Sequence, residues 1–498
     1  MRTCRLRAAL VAAAIAGVLA GVLAGCAIPS PPPPEALRRD ALGALDLVRP
    51  WRAGEATAGA LRDNWLATFG DPQLDALVAE AIARNPDLRV AAARVQQARG
   101  QLDLAKAAQR PSLALLATGG VKMTDLSSAL TGVVALVSWE LDLWGNLRLG
   151  RAAAEDLLVA ARADEEFARQ SLAATTARAW IAATQTRLEV QEAERMLQSG
   201  QRLAGLADDR LRVGVGNALD LATAQASVTS QRDLALQAAF AHQSALRALE
   251  LLLGRYPAAE LAARASLPVL PGPVPAGLPL QMLERRPDLL AAERRVAAAF
   301  NRLGQARVAS LPSLKLTGNL GYLDSDVLQL APGYDNPAAG VGARLAMPVD
   351  INGEVDAQVA VRSAQQDEAV AEYARLALRA IGDVETALAT GQVLAGRERL
   401  LDALVADRGR SLAFMQSSFD VGRQDLRAVT QQELGLHEAR IQLLRVQADQ
   451  LVQRVNLHLA LGGSFDAATP SLDGTAPGGQ RRDGPAAAHL PAAVATVH

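Results

Sequence analysis

Residues 85–113 and 286–314 carry one pattern twice. Asn85-Pro86-Asp87-Leu88 leads to Pro111-Ser112-Leu113, and Arg286-Pro287-Asp288-Leu289 leads to Pro312-Ser313-Leu314. Both pairs share one offset, 286 − 85 = 201 and 312 − 111 = 201. The register returns at 208 in Val213-Gly214 with Val421-Gly422 (421 − 213) and in Leu253-Gly254 with Leu461-Gly462 (461 − 253). A tandem unit this long exceeds the roughly 20–50 residues of a stacked solenoid repeat, so each copy should be half of one pseudo-symmetric body. The chain divides into 1–25, an N-terminal segment 26–60, repeats 61–264 and 265–465, and a tail 466–498.

The body is built for helices, with aromatics at 3%, charged residues at 21% and a net charge of −1, which leaves no basic field to draw nucleic acid. Both cysteines, Cys4 and Cys26, precede the repeats, so the body has neither a disulfide nor a thiolate metal site. Arg2, Arg5 and Arg7 before an apolar run from Ala8 to Leu23 have the order of a secretory signal. Leu23-Ala24-Gly25-Cys26 follows at once and resembles the bacterial lipobox. That resemblance implies cleavage before Cys26, which then carries S-diacylglycerol and N-palmitoyl groups, with no other cofactor expected. Ala27 stands where aspartate would signal inner-membrane retention, so the address reads as outer membrane. Pro29 and Pro31 to Pro34 should form a stiff, extended tether. The tail from Asp466, rich in Ala, Pro, Gly and Thr, is expected to be disordered.

No apolar run after the lipobox reaches the roughly 18–20 residues of a transmembrane helix, so any crossing must use strands. Four segments alternate, two per repeat. In 112–123 and 133–143, Leu113, Leu115, Val133, Val137 and Trp139 oppose Ser112, Lys122, Ser138, Glu140 and Asp142. In the second repeat Leu314, Leu316, Leu320, Val341 and Leu345 oppose Lys315, Thr317, Asn319, Arg344 and Asp350. Segments of about ten residues with one greasy and one wet face suit tilted membrane strands. A soluble sandwich alternates in the same way, and the pattern alone does not choose.

Helices fill the remainder. Segments of about 72–108 and a more broken 280–309 precede the strand pairs, and long proline-free segments of about 148–211 and 353–419 follow them. At 1.5 Å per residue the long ones extend about 95–100 Å. A tip turn with Gly214 and Gly216, or Gly422, leads to returning helices of about 218–253 and 426–461. Near the tips Val190, Leu197, Ala204 and Leu211 recur every seven residues, as do Leu221, Val228, Ala235 and Leu249, the sign of side-by-side helices. His242 takes the remaining stripe position and reads as a packing residue.

Four membrane strands cannot close a barrel, because an open edge in lipid leaves unpaired backbone groups. Strands must be pooled between chains: two chains give eight and three give twelve, and twelve leaves room for an aqueous lumen under a normal cyclic symmetry. Lys122, Glu140, Asp142, Lys315, Arg344 and Asp350 would line it, and the long helices would prolong the wall into a conduit.

Several ordered motifs resemble one family. Asn64-Trp65, Phe69-Gly70-Asp71-Pro72-Gln73-Leu74, Asn85-Pro86-Asp87-Leu88, Trp139-Glu140-Leu141-Asp142-Leu143-Trp144-Gly145-Asn146 and Glu284-Arg285-Arg286-Pro287-Asp288-Leu289 are similar to those of TolC/OprM-like outer membrane factors, in the NodT-type lipoprotein branch serving RND pumps. The resemblance implies a mainly helical protomer with four membrane strands. Three protomers would form a twelve-stranded β-barrel in the outer membrane and a helical barrel across the periplasm. It also implies an exit duct joined through a periplasmic adaptor, or membrane fusion protein, to an inner-membrane RND pump. The tips after Gly214, Gly216 and Gly422 would form the entrance and the adaptor contact, opened by untwisting. Family tips often carry an acidic pattern after the second-repeat glycine, but Ala428 and Gln431 stand at those positions here. Asp220, Asp425 and Glu433 remain as candidate gate acids, although acids near helix N-termini are favoured by the dipole in any case.

Two rival readings follow from the residues. An enzyme finds no support in five scattered histidines without metal spacing, no phosphate loop and no nucleophile elbow. A lipid-anchored periplasmic adaptor or coiled-coil scaffold would share the anchor and the long helices, but would have no use for four alternating segments at equivalent places.

Overall fold

The computed structural model describes residues 30–43, 47–53, 63–119, 130–325 and 337–465. The signal and Cys26, Lys122, Val121, Met123 and the tail after residue 465 lie outside the described residues. The elements run α1 (Pro34–Leu42), α2 (Pro72–Arg84), α3 (Pro86–Ala107), β1 (Ser112–Thr118), β2 (Leu130–Leu141), α4 (Asn146–Arg212) and α5 (Ala218–Leu252). The second half continues with α6 (Pro279–Arg285), α7 (Pro287–Val308), β3 (Ser313–Ser325), β4 (Pro337–Ala346), α8 (Glu354–Asp420) and α9 (Leu426–Ala460).

The duplication is written into element lengths. α4 and α8 are 67 residues each, offset by 354 − 146 = 208, and α5 and α9 are 35 residues each at the same offset. α3 and α7 are 22 residues each at 287 − 86 = 201. The seven extra residues therefore enter between the start of β3 and the start of α8, in the second hairpin.

The expected continuous helix over 72–108 is broken at Asn85. A proline pushes its predecessor out of the helical region, and Asn85 (ψ 130°) and Arg286 (ψ 120°) are both extended. Pro86 and Pro287 then start new helices, where their missing N–H costs nothing. Each pre-proline residue also locks the returning helix. Asn85 Nδ2 donates to Leu252 O at 3.0 Å, and Arg286 Nη1 donates to Ala460 O at 3.1 Å. Gly462 passes so close that a Cβ there would lie 3.1 Å from the Arg286 nitrogen. This docking explains why Leu-Gly and X-Pro-Asp-Leu recur together.

The N-terminal segment differs from a free tether. Pro34–Leu42 is helical, Leu37, Leu42 and Trp51 are buried, and Trp51 Nε1 donates to Ala276 O at 3.1 Å. Pro34 at the first turn starts this helix, and burying its leucines against the second repeat holds it.

The four strands form one antiparallel sheet in the order β1-β2-β3-β4. Below it, α3, α4, α7 and α8 stand side by side, and further down the row is α5, α4, α9 and α8. The central core joins Trp65, Phe69, Leu74, Val78, Trp180, Ile181, Leu249, Leu451 and Val455. Ala173, Ala174, Ala177, Ala377 and Ala380 are fully buried, so the long helices approach closely on small side chains. Asp71 anchors this core: its carboxylate caps α2 through the Gln73 and Leu74 N–H groups and accepts from Trp180 Nε1 at 2.9 Å. It also pairs with Arg264 at 3.1 Å. Among the described residues no helix is long and apolar enough to cross a membrane.

Candidate functional site

The register separates two faces of the sheet. Ser112, Ser138 and Thr317 fall in one cross-strand row, and Glu140, Lys315 and Arg344 in the next. The opposite face carries Leu113, Leu115, Val133, Val137, Trp139, Leu320, Tyr322, Val341 and Leu345. These are exposed, Leu113 at 69% and Val341 at 96%. A soluble sandwich would bury such a face, so it suits contact with lipid. Trp139 and Trp144 mark the lower boundary, their indole N–H groups donating to Gln109 O and Pro312 O at 3.1 and 2.7 Å. Such amphipathic rings suit the membrane interface.

Of the residues expected to line the lumen, Glu140, Lys315 and Arg344 lie on the polar face. Asp142 and Asp350 lie just beyond the strands and are engaged locally. Asp142 accepts from the Leu147 and Arg148 N–H groups at 3.1 and 2.9 Å and pairs with Arg148 Nε at 3.1 Å. Asp350 accepts from Asp356 N at 3.2 Å. Each follows from the exposed N–H groups of a helix start, reached through a left-handed glycine, Gly145 or Gly353.

At the other end the long helices stop at left-handed Gly214 (φ +82°) and Gly422 (φ +76°). Val215 N returns to Arg210 O at 3.0 Å and Arg423 N to Ser418 O at 2.9 Å, which closes the last turn as such glycines allow. Gly216 has no space for a side chain, since a Cβ would meet Leu211 N at 2.8 Å. Val213, Val215, Leu219 and Val421 are exposed around these turns. Behind them Ala207, Ala224, Phe419, Leu426 and Val429 pack the two hairpins together. The Arg210 guanidinium sits 4.9 Å over the Phe419 ring.

The candidate gate acids fall in different surroundings. Asp425 caps α9, accepting from Ala428 N at 2.9 Å. Asp220 is held by Asn217, the cap of α5, whose Nδ2 donates to it at 2.7 Å. Arg427 reaches both, 3.7 Å from Asp220 and 3.6 Å from Asp425, so one cation ties the first hairpin to the second. Glu433 does not lie at the helix tips. It is 8% exposed and accepts from Ser199 Oγ at 2.6 Å, because it lies two turns up α9 on the side facing α4.

Above Glu433 a second α4–α9 polar layer joins Glu192 to His437 at 2.6 Å, with Arg195 at 2.8 Å and Arg440 at 3.3 Å. Burial raises the Glu192 carboxyl, but the hydrogen bond and charge of His437, with both arginines, outweigh it and hold it at about 2. His242 is half-buried, its Nδ1 3.2 Å from Thr186 Oγ1, and burial pushes its pKa down. Sequence reasoning missed Arg427 as a bridge and the Glu192 layer. Their partners come from the other repeat, 207 and 245 positions away (427 − 220 and 437 − 192), and no local signal pairs them. Among the described residues no three His, Cys, Asp or Glu side chains gather as a metal site.

Comparison with known proteins decides the reading of this wall. The profile of the outer membrane efflux protein family matches residues 77–255 and 278–463, one segment in each repeat. The chain belongs to the outer membrane efflux protein family. As a member it is an outer membrane efflux channel, and its family consists of channel proteins rather than enzymes. The pyoverdine export outer membrane protein OpmQ of Pseudomonas putida is 29% identical over 90% of this chain and 96% of that protein. The toluene efflux pump outer membrane protein TtgF of the same species is 30% identical over 83% and 89%. Among solved structures, the Campylobacter jejuni CmeC outer membrane channel shares the fold at a TM-score of 0.77. It is 21% identical and covers 86% of this chain and 96% of that one.

Proposed function

We propose that three copies of this chain close into one tube, the exit duct of a tripartite efflux pump. The observation that carries the proposal is that, among the described residues, every layer ends on the same two open edges. First-repeat elements β1, α3 and α5 stand at one edge, and second-repeat elements β4 and α8 at the other. Leu236 and Phe240 on α5 are exposed, as is Leu400 on α8. All three lie about 30 Å above the tips, counted at 1.5 Å per residue. Joining one edge to the other head to tail pairs the strand edges and buries these side chains at once, and three such joins give twelve strands and twelve helices per layer. A scaffold or adaptor offers no role for the exposed apolar face of the sheet.

The exposed apolar tip around Val213, Val215 and Val421 suits an adaptor hairpin, with the inner-membrane RND pump behind it supplying energy. Acylation of Cys26 adds an anchor in the inner leaflet of the outer membrane, and Ser30 begins the described chain close to α4 and α7 just below the sheet. OpmQ and TtgF carry names of small-molecule exporters, and small-molecule export is the proposed task here. Purified from outer membranes in detergent, the protein should give a trimer mass by native mass spectrometry and conduct ions in planar bilayers. A monomer without conductance would sink the proposal.

A further inference from the structure

At the lower end of the polar face, charges form one cross-strand row. Glu140 on β2 stands opposite Lys315 on β3, and Lys315 opposite Arg344 on β4. Lys315 Nζ lies 3.2 Å from Glu140 Oε2, so these two charges cancel. Arg344 is exposed and has no hydrogen-bond or ion-pair partner among the described residues. The other described residues on this face of the four strands are uncharged: serine, threonine, asparagine, glycine or aliphatic. The row therefore carries +1 per chain (+1 +1 −1) at one height, beneath strand residues that, among those described, are uncharged.

We propose that this row is an anion-favouring ring at the base of the β-barrel, with three Arg344 guanidinium groups as its binding elements and polyvalent anionic solutes as its preferred traffic. The proposal rests on the trimeric duct. Twelve strands about 4.8 Å apart and tilted about 40° close at a backbone radius of roughly 12 Å. An arginine reaching inward covers about half of that, so at 0.1 M salt, with a Debye length of about 10 Å, the ring's field spans the lumen. At 1 M the length falls to about 3 Å, and the centre is screened. Guanidinium is also suited to carboxylate and phosphate oxygens, which it binds in pairs, while the Lys315–Glu140 pair holds the neighbouring charge out of competition.

Inorganic tripolyphosphate is a suitable probe, added to each side in turn of trimers in planar bilayers at 0.1 M KCl. It should block current from the barrel side. Arg344→Gln should raise the half-blocking concentration on the order of tenfold or more, and Glu140→Gln, which frees Lys315, should lower it severalfold. Both differences should disappear in 1 M KCl. Equal block of wild type and Arg344→Gln overturns the ring, and so does a Glu140→Gln channel that blocks no more readily than wild type. Absence of any wild-type conductance instead refutes the duct itself. Because Glu140→Gln tests the ring by strengthening block, the proposal stays open to refutation even if Arg344→Gln fails to assemble.

Discussion

Arg427→Ala tests whether the two hairpins are latched at the entrance. The Arg427 side chain is 53% exposed, and its 3.7 Å contact with Asp220 is the one that crosses between hairpins. Its 3.6 Å contact with Asp425 stays within the second hairpin. A long contact of this kind, with Arg427 open to solvent and Asp220 only 20% exposed, contributes about 0.5 kcal/mol after solvent screening, too little to matter in one chain. If the entrance opens in concert, three latches act together. About 1.5 kcal/mol then separates wild type from variant, which is roughly tenfold in the open population. Single-channel recording at 0.1 M KCl should show that increase in spontaneous openings. At 1 M KCl the difference should shrink, because the Arg427 end of the contact is open to solvent and screened. Arg423→Ala is the control, since Arg423 has no ion-pair partner among the described residues. An Arg427→Ala channel as quiet as wild type at low salt, or one whose excess openings persist undiminished at 1 M, would refute the reasoning.

Cys26→Ser should remove the acyl chains, seen as loss of lipid mass by intact-protein mass spectrometry, and leave detergent trimers intact; finding only monomers would make the anchor structural. Asp71→Ala strips α2 of its cap and leaves the Trp180 N–H and Arg264 without their carboxylate. It should cost about 3 kcal/mol or more, read as a lower temperature of trimer loss, while Asp71→Asn should cost less. Glu192 sits at about 2 against an ordinary 4.5, a carboxyl depressed by folding. Its contribution is fully present above about pH 4.5 and is lost as pH falls through about 2. Glu192→Gln should therefore weaken the protein at pH 7 and flatten that part of its acid denaturation curve. A variant with a wild-type curve would show that the Glu192–His437 layer adds nothing.

Much of the architecture was legible because period and repeat are local properties. The long helices appear within about two residues of their expected ends, since Gly214 and Gly422 stop them by conformation and no proline interrupts them. The alternating segments became strands on the expected parity because shifting by one residue would exchange the greasy and wet faces. The break at Asn85 was also readable from Pro86, but helical composition on both sides hid it. The packing of Trp51 was not readable, because its partner is the Ala276 carbonyl, 225 positions away. The same distance limit governs the site. Glu140 and Lys315 could be assigned to a wet face, but that they neutralise each other and leave Arg344 without a partner among the described residues depends on β2 pairing with β3. Asp142 and Asp350 were expected in the lumen and Glu433 at the gate, and only the helix starts and the α4–α9 contact show how each is engaged.

The central claim is that edges left open in one chain are closed by two others. Electron cryo-microscopy of the detergent-extracted protein measures this directly. A three-fold tube is predicted, with a detergent belt around residues 112–141 and 313–346, β4 of one protomer paired with β1 of the next, and twelve helices in each layer below. A monomeric or elongated particle without a belt, or a belt around an open four-stranded sheet, would contradict the account.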